Sequence, residues 1–166
     1  MTVIRPEAAR DITAIRGVHL ASFPSGVEAE LVELLRVAGH MKVSLVADVD
    51  GTVVGHVAFS PVSTRQGAVG VGLAPLAVLP GFRRRGIAND LVTRGLGECA
   101  SLGYGWAVVL GDPGYYSRFG FVAAQESGLS DEYGGGAAFQ VLELVGQSVP
   151  RGAGLVRFGP EFAAFA

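Results

Sequence analysis

The stretch Leu76-Ala77-Val78-Leu79-Pro80-Gly81-Phe82-Arg83-Arg84-Arg85-Gly86-Ile87-Ala88 constrains the fold more than any other part of the chain. An apolar strand runs to Pro80, which has no N–H to give to a ladder and so suits a strand end. A short turn follows, and helical spacing opens near Arg84. A helix start leaves backbone N–H groups that no carbonyl inside the helix satisfies, and it carries the positive end of the helix dipole. A phosphate is the natural guest of that arrangement. Small residues at Gly86 and Ala88 let an anion approach the backbone closely. The residues alone therefore point to a ligand with a phosphate or pyrophosphate group.

The chain has 166 residues, enough for one core and too few for two ordinary domains. We read residues 1–150 as a single domain and residues 151–166 as a tail packed on it through Phe158, Phe162 and Phe165. Apolar residues make up 49 % of the chain, yet no run approaches the ~18 that a membrane span needs. The N-terminus shows no basic region followed by a long apolar one, so no signal peptide is expected. A net charge of −2 and a single lysine, Lys42, speak against nucleic acid as a partner. Cys99 is the only cysteine, which excludes an internal disulfide and a cysteine-based zinc site, and no metal is expected. These properties suit a cytoplasmic globular protein.

Periodicity predicts the elements. Residues 2–5 read as a strand, 8–20 and 27–37 as helices, and 43–49 and 53–61 as strands joined by the hairpin signal Asp50-Gly51. Val27, Leu31, Leu34 and Leu35 form the apolar side of the second helix, and Glu28, Glu30 and Glu33 its wet side. Residues 68–79 form a Gly- and Val-rich strand, and 84–100 a central helix with Ile87, Leu91 and Leu96 inward. Gly95 and Gly97 in that helix read as close-packing positions, and Gly103 as its C-cap. Residues 106–110 form a continuously apolar strand, 115–119 a helical turn or two, and 121–124 and 139–145 further strands. The strand–helix–strand unit over 68–110 should be a right-handed parallel crossover. The expected fold is α/β, a central mixed sheet with helices on both faces.

Three segments in order resemble those of a known family. Val78-x-Pro80 with Arg83-x-x-Gly86-x-Ala88 resembles the acetyl-CoA signature of the GNAT acetyltransferases. Tyr116-Ser117-Arg118-Phe119-Gly120-Phe121 is similar to the family's Tyr-x-x-x-Gly-Phe segment. Ile4-Arg5-Pro6 with Asp11 is similar to its first strand and helix. The resemblance covers about residues 2–145, and Gly111-Asp112-Pro113 with Tyr115-Tyr116 is most like the bacterial YhbS-like branch.

The resemblance implies two parallel strands, 73–79 and 106–110, that splay apart to admit acetyl-CoA. It places the pyrophosphate on the amides of Arg84, Arg85, Gly86, Ile87 and Ala88, with Arg83 and Asn89 beside them. It sets the pantetheine arm along Leu76, Ala77 and Val78, with the Val78 amide at the thioester carbonyl as an oxyanion donor. Tyr116 takes the place of the family's general acid for the departing thiolate. Many members carry a carboxylate on the strand entering the signature, but residues 67–79 contain no acid. His56, Glu28, Asp112, a water chain or bulk solvent remain as proton acceptors. His56 also reads as a hydrogen-bonded sheet histidine, Glu28 as part of a solvated helix face, and Asp112 as a turn former. The implied activity is acetyl transfer to a primary amine of a small molecule or protein, by direct attack in a ternary complex. The alternative is a catalytically silent acyl-CoA-binding sensor or scaffold. A homodimer stays open.

Overall fold

The computed structural model describes residues 1–165, which form two compact units. The first comprises Met1–Phe59 and Ala74–Glu98, and the second Ser60–Leu73 with residues from Cys99 onward.

In the first unit, β1 (Thr2–Pro6) runs antiparallel to β2 (Val43–Val49), from Thr2↔Val49 to Pro6↔Leu45. β2 in turn pairs antiparallel with β3 (Thr52–Thr64), and a bulge falls between Ala47 and Asp48. Asp50 and Gly51 have φ of 50° and 91°, the left-handed pair that a two-residue hairpin turn requires. A 3-10 turn, Ala9–Asp11, leads into α1 (Ile12–Ser22), and α2 is Val27–Ala38. Gly39, with φ of 73°, ends α2 by donating its N–H to Arg36.

The α2 stripe differs from expectation. Ala29, Leu31, Val32 and Leu35 are buried, whereas Leu34 is exposed, because the helix turns its Ala29–Val32 side to the core.

The helices flank β3 on two faces. Alternation sends Gly55 toward α3 (Ile87–Ser101), where Leu91 lies within van der Waals reach of its Cβ position. His56, the next residue, points the other way and meets His19 of α1. Ile15, Val18 and Val32 pack with Val46, Val53 and Ala77 in the core beneath α1 and α2. β4 (Val69–Val78) enters this unit at Ala74, and Leu79 donates its N–H to Val54 at 2.8 Å.

In the second unit, the start of β4 runs parallel to β5 (Trp106–Leu110) through Val71↔Ala107 and Gly72↔Val108. Gly70 is required there: a Cβ at that position would sit 2.5 Å from the Trp106 ring. β5 pairs antiparallel with β8 (Phe139–Glu143), and β6 (Val122–Ala123) pairs with β8 as well. α4 is the single turn Pro113–Tyr116, extended by a 3-10 turn, Ser117–Phe119.

Two strands escaped the sequence reading. β7 (Leu129–Asp131) runs parallel to β9 (Gly154–Arg157), and β9 pairs with the far end of β3 at Ser63↔Arg157 and Thr64↔Val156. Each is only three or four residues long, too short for a period to register. The tail beyond Pro150 thus contributes a strand, and it also buries Phe158 and Phe162.

Candidate active site

The arginine turn is built by a conformational break. After Val78 the chain makes one 3-10 turn, Pro80–Phe82, and Arg83 is extended. Arg84 (φ 65°) and Gly86 (φ 77°) are both left-handed, so the helix cannot begin at Arg84 and starts instead at Ile87. Backbone N–H groups that converge through alternating left- and right-handed residues form an anion nest. The first bond of the helix ladder is Asp90 N–H to Gly86 O at 3.0 Å, so the amides of Ile87 and Ala88 have no carbonyl within the helix to take.

The side chains fit the same guest. Arg83, Arg84, Arg85 and Gly86 are exposed, while Ile87 is buried and anchors the turn. No atom lies within 4 Å of a Cβ position at Gly86, leaving open space in front of the nest. Arg85 lies over the Phe82 ring at 5.0 Å. Arg83 Nε donates to the Val78 carbonyl at 3.0 Å, and the following N–H, of Leu79, is held by Val54. The peptide after Val78 is therefore fixed at both ends. Pro75, one residue into the first unit, has no N–H to offer a neighbouring strand.

In the second unit, Asp112 N-caps α4 by accepting the Gly114 N–H at 2.9 Å, and its carbonyl accepts from Tyr115 and Tyr116. Tyr116 packs edge-on to Tyr115 and Phe121, and a Cβ at Gly111 would sit 2.5 Å from its ring. Burial, reinforced by Tyr115, pushes the Tyr116 hydroxyl up to about 12, so it keeps its proton at neutral pH.

A chain of polar side chains runs through the first unit. Arg36 grips Glu7 through two bonds, Nε to Oε2 at 3.0 Å and Nη2 to Oε1 at 3.1 Å. Ser44 Oγ donates to Glu7 Oε1. Ser44 Oγ lies 2.8 Å from His56 Nε2, and His56 Nδ1 lies 2.8 Å from His19 Nε2. Both histidines are fully buried. Burial holds His19 down to about 4, and burial with His19 and Arg36 nearby holds His56 well below its usual range. Each is neutral at neutral pH.

Comparison with known proteins decides what this architecture is. Residues 41–123 match the Acetyltransferase (GNAT) domain. The chain is 41 % identical over 166 residues to the uncharacterized N-acetyltransferase YhbS of Escherichia coli strain K12, covering 98 % of this chain and 99 % of that protein. The chain belongs to the GNAT acetyltransferase family. The crystal structure of E. coli YhbS in complex with CoA matches at a TM-score of 0.95 and 40 % identity, over 99 % of this chain and 93 % of that one. A GNAT family acetyltransferase from Brucella melitensis, in complex with acetyl-CoA, matches at 0.82 and 36 % identity over 98 % of each chain.

Within this GNAT chain, the structure gathers Leu76, Ala77, Val78 and residues 83–89 into one strand–turn–helix segment of the first unit. The candidate bases differ in their surroundings. His56 is sealed from solvent and bonded at both ring nitrogens. Glu28, on α2, is partly buried with Oε1 enclosed and unpartnered. Asp112 is exposed and occupied in capping α4. His19, Ser44, Glu7 and Arg36 were missed. The signal for His19 was its place four residues after Ile15, on the inward side of the first helix. Among the described residues, no group of three or more His, Cys, Asp or Glu is placed to hold a metal, and no helix is long and apolar enough to cross a membrane.

Proposed function

We propose that this GNAT protein transfers the acetyl group of acetyl-CoA to a primary amine by direct attack in a ternary complex. The observation that carries the reading is the arginine turn, with its left-handed Arg84 and Gly86, opening onto free space at the end of a pinned strand. Similarity to the CoA-bound YhbS and acetyl-CoA-bound Brucella structures supports the choice of donor.

Acetyl-CoA supplies an activated thioester carbonyl and a thiolate leaving group. The amides of Arg84, Arg85, Gly86, Ile87 and Ala88 bind the pyrophosphate, with Arg83 and Asn89 beside them. The edge of Leu76, Ala77 and Val78 takes the pantetheine arm as an added strand. The Val78 N–H serves the developing oxyanion, and the fixed peptide that follows limits the reorganisation needed there. Tyr116, protonated across the neutral range, returns a proton to the thiolate. With Cys99 buried in α3, the reading needs no acyl-enzyme.

Titration calorimetry with acetyl-CoA, together with release of CoA thiol in the presence of primary amines, tests this. Saturable binding and amine-dependent thiol release are expected. Binding without release across alkylamines, arylamines and lysine peptides would instead make the chain an acyl-CoA sensor.

A further inference from the structure

The polar chain in the first unit has a direction. Ser44 has one proton, which it donates to Glu7, so at His56 its oxygen accepts. His56 therefore carries its proton on Nε2 and presents a bare Nδ1. His19 must then donate from Nε2 to that nitrogen. The only tautomer left to His19 has an unprotonated Nδ1. That atom is buried and has no hydrogen-bond partner. Leaving such a group unsatisfied costs about 1–3 kcal/mol, and it calls for an explanation.

We propose that Arg36–Glu7–Ser44–His56–His19 is a proton relay whose unpartnered end, His19 Nδ1, takes the proton shed by the attacking amine through one bridging water. This rests on the acetyl-transfer reading. As the C–N bond forms and the C–S bond breaks, the amine proton passes to His19 Nδ1. The Nε2 proton of His19 moves to His56 Nδ1, that of His56 to Ser44 Oγ, and that of Ser44 to Glu7. No proton is created or lost, and the thiolate is served separately by Tyr116.

The place of the relay agrees with this role. Ile15 and Val18 of α1, just before His19, pack with Ala77 of the strand assigned to the acyl arm. His56 lies two residues along β3 from Val54, which bonds the end of that strand. Phe23 stacks on the His19 ring at 6.1 Å and 11° and holds its plane. The charged groups bearing on the pair are Glu7 and Arg36. Burial keeps both rings neutral, so neither carries an extra proton before the amine attacks. Residues 67–79 contain no carboxylate that could take this proton instead.

Nitrogen-15 spectra of the histidines test the direction without turnover. Both rings should carry the proton on Nε2, and a proton on His19 Nδ1 would overturn the proposal. Kinetics then test the role with acetyl-CoA and an alkylamine. Ser44→Ala, which cuts the relay without touching His19, should lower kcat at least about tenfold, and His19→Phe about a hundredfold. Acetyl-CoA affinity should hold within about twofold. The proton inventory in H2O/D2O mixtures should change from curved to linear in Ser44→Ala, and Ser44→Thr should restore the curve. Wild-type kcat and inventory in Ser44→Ala would sink the relay. Absence of thiol release from the wild type would sink the acetyl-transfer reading, while the tautomers still judge the relay.

Discussion

Gly95 and Gly97 stand two residues apart on α3 in opposite surroundings. A Cβ at Gly95 would lie 2.8 Å from Phe59 Cζ and nearer still to Cε2. Phe59 is completely buried, so its ring has nowhere to go. Gly97 is exposed, and no atom lies within 4 Å of its Cβ position. Alanine improves a helix interior by about 1 kcal/mol relative to glycine at either site. Overpacking a tight core costs about 1–3 kcal/mol. Gly97→Ala should therefore stabilise the protein by up to about 1 kcal/mol, and Gly95→Ala should destabilise it by up to about 2 kcal/mol. The two variants differ by the overpacking cost of about 1–3 kcal/mol, and at about 2–4 °C per kcal/mol for a chain of this size their melting temperatures should differ by about 2–12 °C. Scanning calorimetry of the two variants beside the wild type measures this directly. Acetyl-CoA affinity of Gly97→Ala should match the wild type, since that face is open to solvent. A Gly95→Ala protein as stable as Gly97→Ala would refute the packing argument, and a destabilised Gly97→Ala would refute the propensity argument.

Other expectations concern the site and the pH response. Gly86→Ala places a side chain in the left-handed region, at a cost of about 1–2 kcal/mol. Titration calorimetry should show acetyl-CoA binding weakened about tenfold, with Gly81→Ala, also in open space, near wild type. Tyr116→Phe should lower kcat by about 10²–10⁴ with little change in acetyl-CoA affinity, and an unchanged single-turnover rate would remove the proton-donor role. Hydrogen bonding to Arg5 holds the Asp11 carboxyl down to about 2 from an ordinary 3.8. A depressed carboxylate contributes stability above its unfolded value and loses it as pH falls through the folded one. Unfolding followed by circular dichroism should show that contribution disappearing between about pH 4 and pH 2, and Asp11→Asn should be less stable at neutral pH with a flatter acid limb.

Where local pattern sufficed, the sequence anticipated the elements closely. β2 and β5 occupy the residues that alternation and continuous apolarity indicate, and the Asp50-Gly51 hairpin needs only two left-handed residues. The start of α3 falls three residues late because Arg84, an ordinary helix former by composition, adopts a positive φ inside the nest. Gly97 reads like Gly95 in the sequence, yet only Gly95 meets a ring. β9 went unseen because its partners, β3 and β7, lie far from it along the chain.

The arginine turn, the tyrosine segment and the family were legible from sequence alone, because each is a contiguous pattern whose physics is local: a helix start, a capped turn, an apolar strand. The relay was not. Glu7, His19, Arg36, Ser44 and His56 sit on five different parts of the chain, and no spacing among them signals a contact. Only the packing of α1 and α2 on β2 and β3 brings these groups within hydrogen-bond distance and removes the water that would otherwise satisfy them. That tertiary burial, absent from any local pattern, leaves both histidines neutral and one nitrogen unpaired.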